Sequence, residues 1–185
     1  MNKMSRRFML LAPLGMLALG GASFYVMLRR MRTGDYDPHG VPSVLIDRKA
    51  PEISLVAQPA HDGFSVGDLA APGRPVLLNF FASWCLPCVA EAPQLLALAR
   101  RGVVVWGVAY KDRAADTEAF LKRHGNPFAR IVRDDEGKAG LDFGVYGVPE
   151  TYFLDKTGIV RWRWVGPLTE GLIAQVILPL LQKYA

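Results

Sequence analysis

The hydrophobic pattern divides the chain near residue 42. Ahead of that point, Phe8 to Leu28 reads FMLLAPLGMLALGGASFYVML, 21 residues without a charge, closed by Arg7 on one side and by Arg29 and Arg30 on the other. A helix rising 1.5 Å per residue would carry this run across a hydrocarbon core of roughly 30 Å, so 8–28 is expected to be a transmembrane anchor. A cleaved signal peptide competes, because Gly20 and Ala22 put small residues ahead of a possible cut. The apolar run continues past that cut through Phe24 to Leu28, which favours retention. Residues 29–42, rich in Gly, Pro and Asp, read as a linker.

From residue 43 to 185 short apolar runs alternate with helical spacing. Ile53 to Val56 is expected to be a first strand and Gly67 to Leu69 a single turn. Val76 to Phe81, VLLNFF, reads as a fully buried strand. It is followed by a helix over 86–101 with Ala92, Leu95, Leu96 and Leu98 on one face and Pro93 inside, where a kink is expected. Val103 to Tyr110 is a second buried strand, and Ala114 to His124 an amphipathic helix closed by Gly125 as a left-handed cap. After Ile131, Val132 and a short helix near Leu141, Thr151 to Asp155 and Ile159 to Val165 flank the turn Lys156-Thr157-Gly158 as an antiparallel hairpin. On its second strand Val160, Trp162 and Trp164 alternate and should share one face. Trp106 reads as core. Thr169 caps a last helix with Pro179 near its end. This order gives an α/β domain, a central mixed sheet flanked by helices on both faces.

Charge changes the picture less than the total suggests. The net charge is +5, but residues 1–32 hold Lys3, Arg6, Arg7, Arg29, Arg30 and Arg32 and no acid. Of the 22 basic side chains 16 therefore remain against 17 acids. A globular domain of net −1 is not one that wraps nucleic acid. Two cysteines are too few for a disulfide-stapled scaffold or a four-thiolate zinc site. With His39, His61 and His124 away from ligand spacing, no metal site is expected.

The chemistry concentrates in Trp84-Cys85-Leu86-Pro87-Cys88, a CxxC between a buried strand and a helix start. Free N–H groups and the positive end of the helix dipole stabilise an anion there. Cys85 should therefore be the low-pKa, exposed nucleophile, and Cys88, one turn in, the buried resolving thiol. The pair would exchange disulfides and needs no further cofactor. A structural crosslink is disfavoured by the short loop, and Val89 stands where haem attachment needs histidine. A peroxidatic site wants Thr three residues ahead of its cysteine, where this chain has Ala82. Pro149, just ahead of a strand, must occupy its first position or a special turn. Glu91, three residues after Cys88, reads from its spacing either as an acceptor for the buried thiol's proton or as a solvated helix acid.

VLLNFFASWCLPC, GVAYKD (107–112), GNPF (125–128) and GLDFGVYGVPETYFLD (140–155), with the N-terminal anchor, resemble the membrane-anchored thioredoxin-like proteins of cytochrome c maturation, the CcmG/DsbE type. The resemblance spans nearly all of 41–185. It implies a thioredoxin-like fold, a cis Val148-Pro149 peptide facing the CxxC, and catalytic acids at both Glu91 and Glu150. Trp84, Tyr146, Val148 and Pro149 would line the substrate groove, with Asp112 and Tyr146 shaping it. It further implies reduction, in the bacterial periplasm, of disulfides on apocytochrome c or its haem-lyase partners. Electrons would come from a membrane thiol reductant of the DsbD/CcdA kind. Residues 1–7 would be cytoplasmic and the anchor a single pass of the inner membrane. A general periplasmic reductant of the TlpA/ResA kind and a non-catalytic apocytochrome-binding module are the competing functions.

Overall fold

A computed structural model describes residues 6–33, 43–52 and 55–184, which fall into two compact units, Met1–Pro42 and Ser43–Ala185. In the first, α1 runs Arg6–Thr33 with Pro13 inside it. The side chains of 6–12, 14 and 30–33 lie outside the described residues. Among the described residues no helix is long and apolar enough to cross a membrane. Residues 1–5 and the expected linker over 34–42 also lie outside them.

The second unit is built on a six-stranded mixed sheet. Its strands are β1 (Val56–Ala57), β2 (Val76–Phe81), β3 (Val104–Tyr110), β4 (Arg130–Asp134), β5 (Glu150–Leu154) and β6 (Val160–Val165), in the spatial order β1-β4-β3-β2-β5-β6. β2, β3 and β4 are parallel, whereas β5, β6 and β1 join antiparallel. The expected first strand is shorter and later than its apolar run suggested, and Ile53 and Ser54 lie outside the described residues. Two helices, α2 (Val66–Ala70) and α5 (Lys138–Phe143), cover one face. The other is covered by α3 (Leu86–Arg100), α4 (Ala114–His124) and a C-terminal helix.

That C-terminal helix begins as α6 (Glu170–Leu172), capped by Thr169, whose hydroxyl accepts from the Leu172 N–H at 3.2 Å. It passes through a π-helical segment, Ile173–Ile177, and ends as α7 (Leu178–Tyr184). Pro179 follows that segment by two residues and has no N–H for an i−4 bond, and a widened turn absorbs such a gap. Gly125 takes φ +88° with an extended ψ of 155°, so it turns the chain without adopting the expected left-handed helical cap.

Alternation along the strands sorts the core. Leu77, Phe81, Val105, Ala109, Ile131 and Phe153 face α3 and α4, while Leu78, Phe80, Val108, Val132, Tyr152 and Leu154 face α2 and α5. Burying each of the larger of these contributes about 1.5–3 kcal/mol, which is why β2 and β3 form the centre of the sheet. Trp106, 6% exposed, stacks on Phe64 at 4.8 Å. Gly107 has a specific steric reason: a Cβ there would lie 2.9 Å from both the Phe81 and Phe128 rings, which stack at 4.5 Å.

The hairpin corrects one expectation. Phe153 pairs with Trp162 but Leu154 pairs with Val160, so Arg161 is an extra residue in β6. This bulge inverts the alternation. Val160 packs with the α2 and α5 side, whereas Trp162 and Trp164, stacked with an interplanar angle of 5°, lie on the α3 side.

Candidate active site

β2 delivers the chain directly to the CxxC. Cys85 is the N-cap of α3 and Pro87 stands in its first turn, where a missing N–H costs nothing. Cys85 and Cys88 are joined by a disulfide, S–S 2.08 Å, and the Cys88 N–H donates to the Cys85 sulfur at 3.1 Å. A donor already aimed at this sulfur, at the positive end of a 15-residue helix, will hold its thiolate when the bond opens. The Cys85 sulfur lies 3.4 Å from the Val148 carbonyl oxygen, and the Val148-Pro149 peptide is cis. The expected contrast in exposure is absent in this disulfide state, with Cys85 3% and Cys88 2% exposed. The exposed groups are the neighbours Trp84 and Leu86, and Tyr146 across the site. Val148 is partly buried and Pro149 buried.

The two acids expected to act together lie on opposite faces of the sheet. Glu91, fully buried on α3, shares its face with Asn79 of β2 and Thr151 of β5. Its carboxylate accepts from the Asn79 side-chain amide at 3.0 Å and from the Leu168 N–H at 3.1 Å. Burial outweighs both donors and pushes its pKa up to about 7. A cavity of about 10 Å³, roughly room for one water, lies among Asn79, Cys88, Glu91, Phe120 and Pro127. Glu91 and Cys88 therefore line one space.

Glu150, also fully buried, points to the other side with Tyr152. It is ion-paired to Arg163 and accepts from the Tyr152 hydroxyl. Arg163 in turn donates to the Gly144 carbonyl at 3.1 Å and lies 5.2 Å over the Tyr146 ring, and the Tyr152 hydroxyl reaches the Phe143 carbonyl at 2.9 Å. Glu150 thus sits under the 143–149 loop and holds it through its partners.

Asn79, Leu168 and Arg163 are site residues that sequence reasoning did not single out. Asn79 carried a signal, being the one polar side chain in VLLNFF. A polar group inside a buried strand needs a partner, and it has two, Glu91 and the Thr151 hydroxyl at 3.1 Å. Leu168 contributes a backbone N–H from a distant loop and carried none.

A disulfide held between a helix N-terminus and a proline loop, with a buried acid behind the inner sulfur, defines the class: this is a thioredoxin-like thiol:disulfide oxidoreductase. The family model of the AhpC/TSA family matches residues 46–163. The thiol:disulfide interchange protein HelX of Rhodobacter capsulatus is 38% identical over 178 residues, 96% of this chain and 97% of that protein. DsbE of Escherichia coli K12 is 38% identical over 180 residues, 97% of each chain. Among solved structures, MTB DsbF in mixed oxidized and reduced forms superposes with a TM-score of 0.58 at 28% identity, covering 70% of this chain and 95% of that one. The chain belongs to the AhpC/TSA family and, within it, to the DsbE and HelX thiol:disulfide interchange proteins.

Proposed function

We propose that this oxidoreductase acts as a reductant of disulfides on apocytochrome c or on the haem-lyase components that handle it, in the bacterial periplasm. In this reading residues 8–28 anchor it to the inner membrane and a thiol reductant of the DsbD/CcdA kind recharges it. The observation that carries the exchange mechanism is Glu91, a buried carboxyl that lines one cavity with Cys88 and whose pKa burial pushes up to about 7.

The reduced Cys85 thiolate attacks one sulfur of the client disulfide, forming a mixed disulfide and releasing the client's other sulfur, which takes up a proton. Cys88 then gives its proton to the Glu91 carboxylate and attacks the Cys85 sulfur. The Cys85–Cys88 bond forms, the client's second sulfur leaves as a thiolate and takes up a proton as Glu91 gives its own back, and the client departs as a dithiol that has received two electrons. Glu91 is suited to this step because its carboxyl titrates near working pH. Glu150 serves differently, holding the 143–149 loop so that Val148, Pro149 and Tyr146 line the groove against which an extended client lies. The uncharged run of 21 residues supports the anchor, and the reactive dithiol suits a compartment where client disulfides form.

Trapping tests the client assignment. A Cys88→Ala variant in cells should accumulate a mixed disulfide through Cys85 with apocytochrome c or a haem-lyase component. A spread of unrelated periplasmic partners would favour a general reductant. Apocytochrome handling that survives loss of both cysteines would favour a binding module.

A further inference from the structure

The exposed ring beside the disulfide is held in place from a second loop. Trp84 is 60% exposed, yet its indole N–H donates to the Lys111 carbonyl at 3.2 Å, at the end of β3. Lys111 takes φ +48°, in the left-handed region that non-glycine residues rarely occupy, and its own N–H donates to the Asp134 carbonyl at 2.9 Å. The next residue, Asp112, is only 8% exposed, and its carboxylate accepts four hydrogen bonds. Two come from Ser83, N–H at 2.7 Å and hydroxyl at 2.8 Å; the others come from the Arg113 N–H at 2.9 Å and the Thr117 hydroxyl at 2.9 Å. The dipeptide Lys111-Asp112 therefore grips Ser83 and Trp84, the two residues ahead of Cys85.

We infer that Asp112 is a positioning residue for client specificity. By fixing Ser83 it holds the Trp84 ring as a rigid apolar platform for the peptide flanking a client disulfide. Nothing in the disulfide exchange itself calls for a carboxylate here, which lies outside the Glu91–Cys88 cavity. A solvent-exposed tryptophan tied by its N–H presents area to a ligand at little entropic cost, since its side chain is ordered beforehand. Each Asp112 oxygen accepts one backbone N–H, Oδ2 from Ser83 and Oδ1 from Arg113. Either rotamer of an asparagine would thus aim its NH₂ at a backbone donor. The negative, all-acceptor carboxylate is what this position needs.

The inference rests on the reading that a client docks beside Cys85, and the test separates the two. Stopped-flow reduction by the full-length reduced protein is measured for a disulfide-bonded CxxCH peptide and for 2-hydroxyethyl disulfide, which has no peptide to dock. The readout is the ratio of the two second-order rate constants. Misplacing a platform by about an ångström costs up to roughly a hundredfold, so Asp112→Asn should lower the ratio about tenfold, through KM for the peptide. Trp84→Ala should lower it by a similar factor. The double variant should fall no further than Trp84→Ala alone, because Asp112 acts through that ring. Ser83→Ala, which removes only the hydroxyl bond, should show the same coupling at smaller amplitude and serves if Asp112→Asn does not fold. An unchanged ratio in Asp112→Asn, or multiplying losses in the double variant, overturns the proposal. A native protein with no preference for the peptide overturns the docking reading as well.

Discussion

Two fully buried glutamates, Glu91 and Glu150, show how environment assigns a side chain its work. Glu150 faces a guanidinium that is itself 7% exposed, so its charge is answered. Glu91 faces only neutral donors, so burial decides and its pKa rises to about 7. Their glutamine variants should therefore separate. Glu91→Gln is expected to slow resolution of the mixed disulfide at least tenfold near neutral pH and to flatten its pH profile, measured by stopped flow with a CxxCH peptide.

The same shift has a stability consequence of definite sign. Below pH about 4.5 the carboxyl is protonated in both folded and unfolded chains and costs nothing. As pH rises toward 7 the unfolded chain releases the proton and the folded one keeps it, so stability falls, by on the order of 3 kcal/mol in total. Denaturation against pH should show this slope in the native protein and a flatter one in Glu91→Gln. Glu150→Gln should behave oppositely, destabilising by about 3 kcal/mol because Arg163 is left buried without its counter-charge. Its resolution rate, measured below the unfolding transition, should stay within a few-fold of native.

At the scale of elements, the hairpin between β5 and β6 is held by one carboxylate. Asp155 accepts from the Thr157 N–H and hydroxyl, the Ile159 N–H and the Arg161 guanidinium. Burial raises its pKa, but these donors outweigh it and bring the value to about 2. The stabilisation is therefore present above the ordinary carboxylate range and lost as pH falls through about 2. Asp155→Asn should cost about 1–2 kcal/mol at pH 7 and only a small fraction of that at pH 2, read from urea midpoints. The extra residue in β6, Arg161, is the one this cluster uses, since it pairs with both Asp155 and Asp47. The bulge that inverts the Val160 and Trp162 faces is thus anchored by an ion-pair cluster. Strict alternation could not show it, because an inserted residue leaves the apolar spacing of 160, 162 and 164 intact while changing what each meets.

For the molecule as a whole, both hydrophobic clusters seen among the described residues are built from the second unit. A chain of residues 43–185 should then fold, and reduce 2-hydroxyethyl disulfide at the full-length rate. The full chain should sediment with membranes and be released by detergent but not by high salt, as expected of an apolar span of 21 residues. Release by salt, or a mature chain starting near Ser23, would reject the anchor.

Sequence by itself determined the strands VLLNFF and VVVWGVAY, the second of which starts one residue later in the structure, the helix after the CxxC, the hairpin and the two cysteines. Each of these is written in local periodicity or in a motif whose chemistry is complete within a few residues. Only the tertiary structure decided which acid faces the inner cysteine. Asn79 and Glu91 are 12 residues apart and Leu168 lies 77 beyond Glu91, and no local pattern encodes their meeting. Glu150 and Glu91 read alike as acids near a redox motif, and the parity of one strand residue sends one of them to the far side of the sheet. The grip of Asp112 on Ser83 is of the same kind. It joins the ends of two adjacent parallel strands, 29 residues apart along the chain, and pairing across the sheet alone brings them within hydrogen-bond reach.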